Sequence, residues 1–358
     1  MARRLDVTGA DGVRLAAWDF TPGTAPQTGP GVLLLHGLMG HAAHWAPAIS
    51  RLTAAAARPD TGSPGIGLPG PGVPVPGSPG IGLGPGAFDT GAFDTGVPRP
   101  GPGAPAITLP APGAPSVLSA SSVPRRPGPH PRTIALDQRG HGHSDKPPGG
   151  VFTREAYVAD AAAAVEQLGL GPVTLIGHSM GALTAWQLAA ERPDLVHALV
   201  ICDMRASALG AASQREWRDW FRRWPAPFPS LDAARRWFGE EDPWVERPNP
   251  ARGAFFAEVM AEHPDGWRPV FDPEQMLTSR ETWVHDAHWE SLAQVRCPTL
   301  VVRGLDGELG RAEAQEMVRV LPRGAYAEIP DAGHLLHYEH PDAWREAVGP
   351  FLNGVLTS

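Results

Sequence analysis

Gly177-His178-Ser179-Met180-Gly181 sets a serine between two glycines. Residues 172–176 before it are short, apolar and β-branched, the pattern of a buried strand. Residues 182–190 after it have the apolar spacing and alanine content of a helix. A serine at such a strand-to-helix corner is held in strained backbone, and the turn lifts its hydroxyl above the sheet edge. The flanking glycines leave room for neighbouring chain, and the helix N-terminus favours negative charge. The chemistry expected of Ser179 is nucleophilic attack.

Such a corner needs a sheet to stand on, and the chain supplies the pattern of one. A pair of strand-like runs surrounds Asp11-Gly12, a plausible opening hairpin. Residues 32–35 precede His36-Gly37, and residues 44–57 read as a helix. Further strands are expected at 133–136, 198–202, 299–302 and 326–329, with an Ala-rich helix at 157–168. Short apolar strands alternating with helices imply a mostly parallel sheet covered on both faces. Between residues 204 and 293 the alternation stops, and a helical, proline-cut stretch holds Trp217, Trp220, Trp224, Trp237, Trp244, Trp267, Trp283 and Trp289. It lies between two sheet strands, so it should rise from the carboxyl edge as a cap over the site. Most of these rings are expected to be ordinary packing, with two or three lining a pocket.

Residues 59–131 are different. They hold 19 prolines and 16 glycines in 73 positions, so no regular helix or packed set of strands can run through them. Ser63-Pro64-Gly65-Ile66-Gly67-Leu68 recurs as Ser78-Pro79-Gly80-Ile81-Gly82-Leu83. The expectation is an extended, low-complexity insertion without order. A protein partner docking there is conceivable, but nothing in the sequence supports one. The formal charge is −8 over 358 residues with no long block of either sign, which argues against a nucleic-acid groove or a polybasic membrane patch. Cys202 and Cys297 read as buried free thiols, the first residues lack a signal-peptide core, and no run is long enough to span a membrane. A cytoplasmic protein acting on a small molecule is expected.

The elbow, the His36-Gly37 turn and the order of strands and helices resemble the α/β-hydrolase family over residues 5–58 and 132–353. The resemblance implies an eight-stranded α/β sheet, with core segments 1–58, 132–203 and 294–358, a cap at 204–293 and the insertion at 59–131. It implies a serine-nucleophile branch, because branches that use aspartate would not carry Ser179. The base is then His334, in Pro330-Asp331-Ala332-Gly333-His334 after the final strand. Asp306, just past residues 301–304, is the preferred acid, and the family's order of Ser179, Asp306 and His334 is kept. Asp203 is the rival, since the family sometimes places its acid after the preceding strand. The backbone amides of Leu38 and Met180 are implied as the oxyanion donors.

Other histidines receive quieter expectations. His178 is read as a packing or hydrogen-bonding residue, and His41 and His44 as surface or turn residues. His334, His337 and His340 are weighed as a metal cluster and set aside, because their spacing turns away from a common face and no thiol joins them. Residues 137–145, Arg139 included, are expected to be structural. No metal or cofactor is implied. The leading expectation is a serine hydrolase that cleaves an ester of a small-to-medium, largely apolar substrate through an acyl-enzyme. C–C bond hydrolysis, amide or aminopeptidase cleavage, acyl transfer and cofactor-free perhydrolysis use the same triad. A non-catalytic ligand-binding protein on the same scaffold is the reading from another class.

Overall fold

Eight strands hydrogen-bond into one sheet in the computed structural model, which describes residues 2–21, 30–56 and 131–357. The expected insertion at 59–131 falls almost wholly outside the described residues. In chain order the first elements are β1 (Arg3–Thr8), β2 (Arg14–Asp19), β3 (Val32–Leu35), α1 (Ala46–Ala56) and β4 (Thr133–Leu136). Then come α2 (Arg154–Gln167), β5 (Val173–His178), α3 (Met180–Glu191) and β6 (Val196–Cys202). The strand order is β1-β2-β4-β3-β5-β6 followed by two later strands, and only the β1–β2 and β2–β4 pairs are antiparallel.

The stretch between β6 and the next sheet strand holds α4 (Gly210–Arg223), α5 (Leu231–Arg236) and α6 (Pro250–Ala257), then a hairpin of β7 (Met260–His263) and β8 (Gly266–Pro269), and finally α7 (Pro273–Glu281) and α8 (Trp289–Ala293). The hairpin was not expected from the helical pattern. Its ladder is only four pairs long, from Met260–Pro269 to His263–Gly266, and a bridge between Phe228 and Trp267 ties it to the chain before α5. The sheet is completed by β9 (Thr299–Gly304), α9 (Arg311–Val320) and β10 (Gly324–Ile329), followed by α10 (Leu336–Glu339) and α11 (Pro341–Leu356).

Alternation within single strands explains the two-sided burial. Leu33 and Leu35 of β3 join Leu175, Leu199, Val301 and Trp186 on one face, while Val32 and Leu34 join Ile176, Val200, Val302, Trp45 and Trp344 on the other. With a period of two, such a strand must be apolar throughout, as all four residues of β3 are. The same principle puts β5 in the middle of the sheet with every residue buried, and it ends directly at Ser179. Arg139 is structural, as expected. Its buried guanidinium donates to Asp160 Oδ2 at 2.6 Å and to Asp11 Oδ1 at 2.9 Å, tying the loop after β4 to the first hairpin. Among the described residues no helix is long and apolar enough to cross a membrane.

Candidate active site

Ser179 sits at φ 51° and ψ −124°, a left-handed conformation that a serine adopts only at a cost. Close packing imposes it. A Cβ at Gly177 would stand 2.4 Å from Gly181 O, and one at Gly181 would stand 2.3 Å from Leu35 O. Both positions must therefore be glycine for α3 to start so close to the ends of β5 and β3. The Ser179 N–H donates to Cys202 O (3.0 Å), pinning the corner to β6. From the other side, a Cβ at Gly37 would lie 3.0 Å from Ser179 Cβ, so the turn after β3 runs directly past the serine. Leu38 and Met180 both flank that approach.

The imidazole of His334 lies after β10, a quarter exposed, and its Nδ1 is 2.8 Å from Asp203 Oδ2. Asp203 immediately follows β6, is fully buried, and has a φ of 45°. Two backbone N–H groups also donate to its carboxylate, Glu308 to Oδ2 (2.8 Å) and Leu309 to Oδ1 (3.4 Å). A buried carboxylate is tolerable only with such partners.

Asp306, the acid preferred from the sequence, stands elsewhere. Its side chain is 60% exposed, and its only ion pair among the described residues is with the exposed Arg247 at 3.7 Å. Its backbone N–H donates to Ala332 O (3.0 Å), which turns the carboxylate outward and brings the following residue inward. That residue is Gly307, and a Cβ there would be 2.5 Å from Asp203 Oδ1. The Asp203 carboxylate thus fills the space a side chain at 307 would need. The partner of His334 is the rival acid, delivered by β6 rather than by β9.

Other predicted residues fall into place around this dyad. His178 is buried and its Nε2 is 2.8 Å from His334 O, so it braces the loop of His334 as a hydrogen-bonding residue. His337 is buried against Trp45, with ring centroids 4.1 Å apart, and does not converge with His334 and His340 on a metal. His41 and His44 are not surface residues. His44 is fully buried, stacked 3.6 Å from the Phe255 ring of α6, and His41 packs edge-on to it. His41 Nε2 lies 3.4 Å and His44 Nε2 3.7 Å from Glu258 Oε2. These three are the one group among the described residues with metal-like spacing. However, His44 Nδ1 faces the His41 N–H (3.4 Å), which leaves the proton on Nε2, and that nitrogen donates to Phe255 O at 3.0 Å. The group therefore reads as a tie between the core and α6. Cys202 is buried beside Asp203, and Cys297 is half-buried; both are free thiols.

The match to known proteins follows this geometry. The model of the α/β hydrolase fold family matches residues 120–341. The chain belongs to the α/β-hydrolase family. This α/β-hydrolase is 29% identical over 232 residues to a 2-(acetamidomethylene)succinate hydrolase of Mesorhizobium japonicum, covering 62% of this chain and 78% of that protein. It is 28% identical over 263 residues to an N-formylmaleamate deformylase of Pseudomonas putida, covering 72% and 88%. A putative 2-succinyl-6-hydroxy-2,4-cyclohexadiene-1-carboxylate synthase of Bacillus subtilis matches at 29% identity, covering 63% and 83%. Among solved structures, E-2-(acetamidomethylene)succinate hydrolase superposes with a TM-score of 0.67 at 19% identity over 99% of this chain and all of that one, a likeness of fold.

The glycines beside Ser179 and His334 are what single out both residues in the sequence. It ranked Asp203 second because nothing local distinguishes one aspartate after a strand from another. The usable signal was Gly307, which leaves space at the site instead of filling it.

Proposed function

We propose that this α/β-hydrolase is a serine hydrolase that cleaves a carboxylic ester through an acyl-enzyme. The observation that supports it best is the 2.8 Å bond from His334 Nδ1 to the buried Asp203, set beside a serine in strained backbone. In this reading His334 Nε2 takes the Ser179 proton as Oγ attacks the carbonyl carbon. Asp203 keeps the ring oriented and stabilises its charge. The Leu38 and Met180 amides receive the oxyanion, each worth about 2.7–4 kcal/mol in the barrier. The proton then passes from His334 to the leaving alcohol, and water repeats the sequence on the acyl-enzyme. The relatives carry varied names, a hydrolase, a deformylase and a putative synthase, and the choice of an ester among possible bonds rests on the sequence reading.

A fluorophosphonate probe followed by peptide mass spectrometry tests the nucleophile. One adduct on Ser179, lost in Ser179→Ala and strongly slowed in His334→Ala, is the expected result. Folded protein that stays unlabelled would overturn the reading. A panel of esters, amides and β-diketones then fixes the bond type, with esters expected to turn over fastest.

A further inference from the structure

α7 passes over the nucleophile corner, where the Ser279 hydroxyl meets Met180 Sδ at 3.8 Å. The next residue, Arg280, is almost completely buried. Its guanidinium lies 4.9 Å from the centre of the Trp217 ring and 5.4 Å from that of Trp283. Two of its five N–H groups are used, one donating to Gln214 Oε1 (2.7 Å) and one to Ser213 Oγ (2.6 Å). Both acceptors are neutral. Arg280 Nε and Trp283 Nε1 are buried with no hydrogen-bond partner, and Arg280 enters no ion pair among the described residues. Burial lowers its pKa to about 10, against the charges of Glu308, Glu216 and Glu281, so the group stays cationic at neutral pH. Glu308, the foremost of those charges, has its own carboxylate 3.9 Å from His334 Nε2, which links Arg280 to the reacting end of the site.

A buried cation is costly without a counter-charge, and buried donors are costly without acceptors. Leucine or methionine would pack between two indoles at no such cost. Glu308, Glu216 and Glu281 act on the guanidinium only from beyond ion-pairing distance, so what the cluster lacks among the described residues is a carboxylate in direct contact with Arg280 Nε and Trp283 Nε1. The planar guanidinium fork fits a carboxylate, and one cation between apolar rings suits a monoanion on a hydrocarbon chain better than a phosphate. We propose that Arg280, with Trp217 and Trp283, forms a subsite for a free carboxylate carried by the substrate in addition to the bond that is cleaved. This rests on the serine-hydrolase reading for its place in catalysis, but the binding itself does not.

The test compares glutarate with glutaramide, which has the same chain without charge. Thermal shift and calorimetry on the full-length protein should show glutarate binding at least tenfold tighter, and glutarate should slow fluorophosphonate labelling of Ser179. Arg280→Gln should erase the difference between the two ligands, and Arg280→Lys, which keeps the charge without the fork, should retain part of it. With substrates, the ratio of kcat/KM for mono-4-nitrophenyl glutarate over 4-nitrophenyl butyrate should fall about tenfold or more in Arg280→Gln. Equal binding of glutarate and glutaramide by the wild-type protein would overturn the proposal even if the variants failed to fold. So would glutarate binding that is unchanged in a folded Arg280→Gln. Glutarate binding that needs Arg280, in a protein whose Ser179 never labels, would keep the subsite and remove the hydrolase reading.

Discussion

At His334 opposing influences meet. Burial disfavours the imidazolium, but the charge of Glu308, the hydrogen bond and charge of Asp203, and the charge of Glu339 outweigh it and lift the pKa to about 9. The neighbouring rings of His178 and His337 are held neutral, their pKa values pushed down first of all by burial. A base must be neutral to accept a proton, so kcat/KM should rise with pH and level off above about 9. Removing the charge that raises it most should lower the pKa, so Glu308→Gln should move the acid limb to lower pH without abolishing activity. An unmoved limb in a pH–rate profile would count against this. The stability linkage has the opposite slope. The raised pKa contributes stability below the unfolded value of 6.5, and that contribution is lost as pH climbs through about 9. The two aspartates give the sharper comparison. Asp203→Asn should cost about 10³–10⁴-fold in kcat, whereas Asp306→Asn, at an exposed pair, should stay within about twofold. Ester kinetics on the two variants would decide between them. Which aspartate pairs with His334 was not legible in the sequence, because it depends on a positive φ at Asp203 and on which way a turn faces Asp306.

The elements were far more legible than that turn. Runs such as Val32–Leu35 announce a buried strand because both faces must be apolar, and Gly177 and Gly181 announce close approach. The hairpin of β7 and β8 was not legible, since four-residue strands carry too little pattern to oppose helical surroundings. His44 was misread for a related reason: its burial depends on Phe255, which is far away in sequence. At this scale Gly307 controls the acid. Gly307→Ala should push the Asp203 carboxylate off His334 and reduce kcat about 10²-fold, with only a small change in melting temperature. Since the carboxylate occupies the space of a side chain at 307, Asp203→Gly combined with Gly307→Asp should recover activity that either change alone loses. A double variant no better than its parents would show that the space cannot be filled from β9.

Across the whole molecule the site is stitched together by backbone bonds between loop ends. Ser179 N–H reaches Cys202 O, Asp203 N–H reaches Val302 O, and Asp306 N–H reaches Ala332 O, two residues before His334. The Pro/Gly-rich segment 59–125 lies outside the described residues, and all six residues of this chain of bonds lie within them. Replacing it with a short Gly-Ser linker should leave Ser179 labelling intact, since each halving of a loop changes closure free energy by only about 0.6 kcal/mol. Loss of labelling would give the segment a part in the core. The stitching also makes chemistry a clock for folding. In the proposed mechanism the serine stands at 179 and its base at 334, so a nascent chain must release β10 before the serine gains reactivity. Probe capture during refolding or synthesis would then time the docking of β10, and a chain truncated before that strand would carry an intact elbow that stays silent.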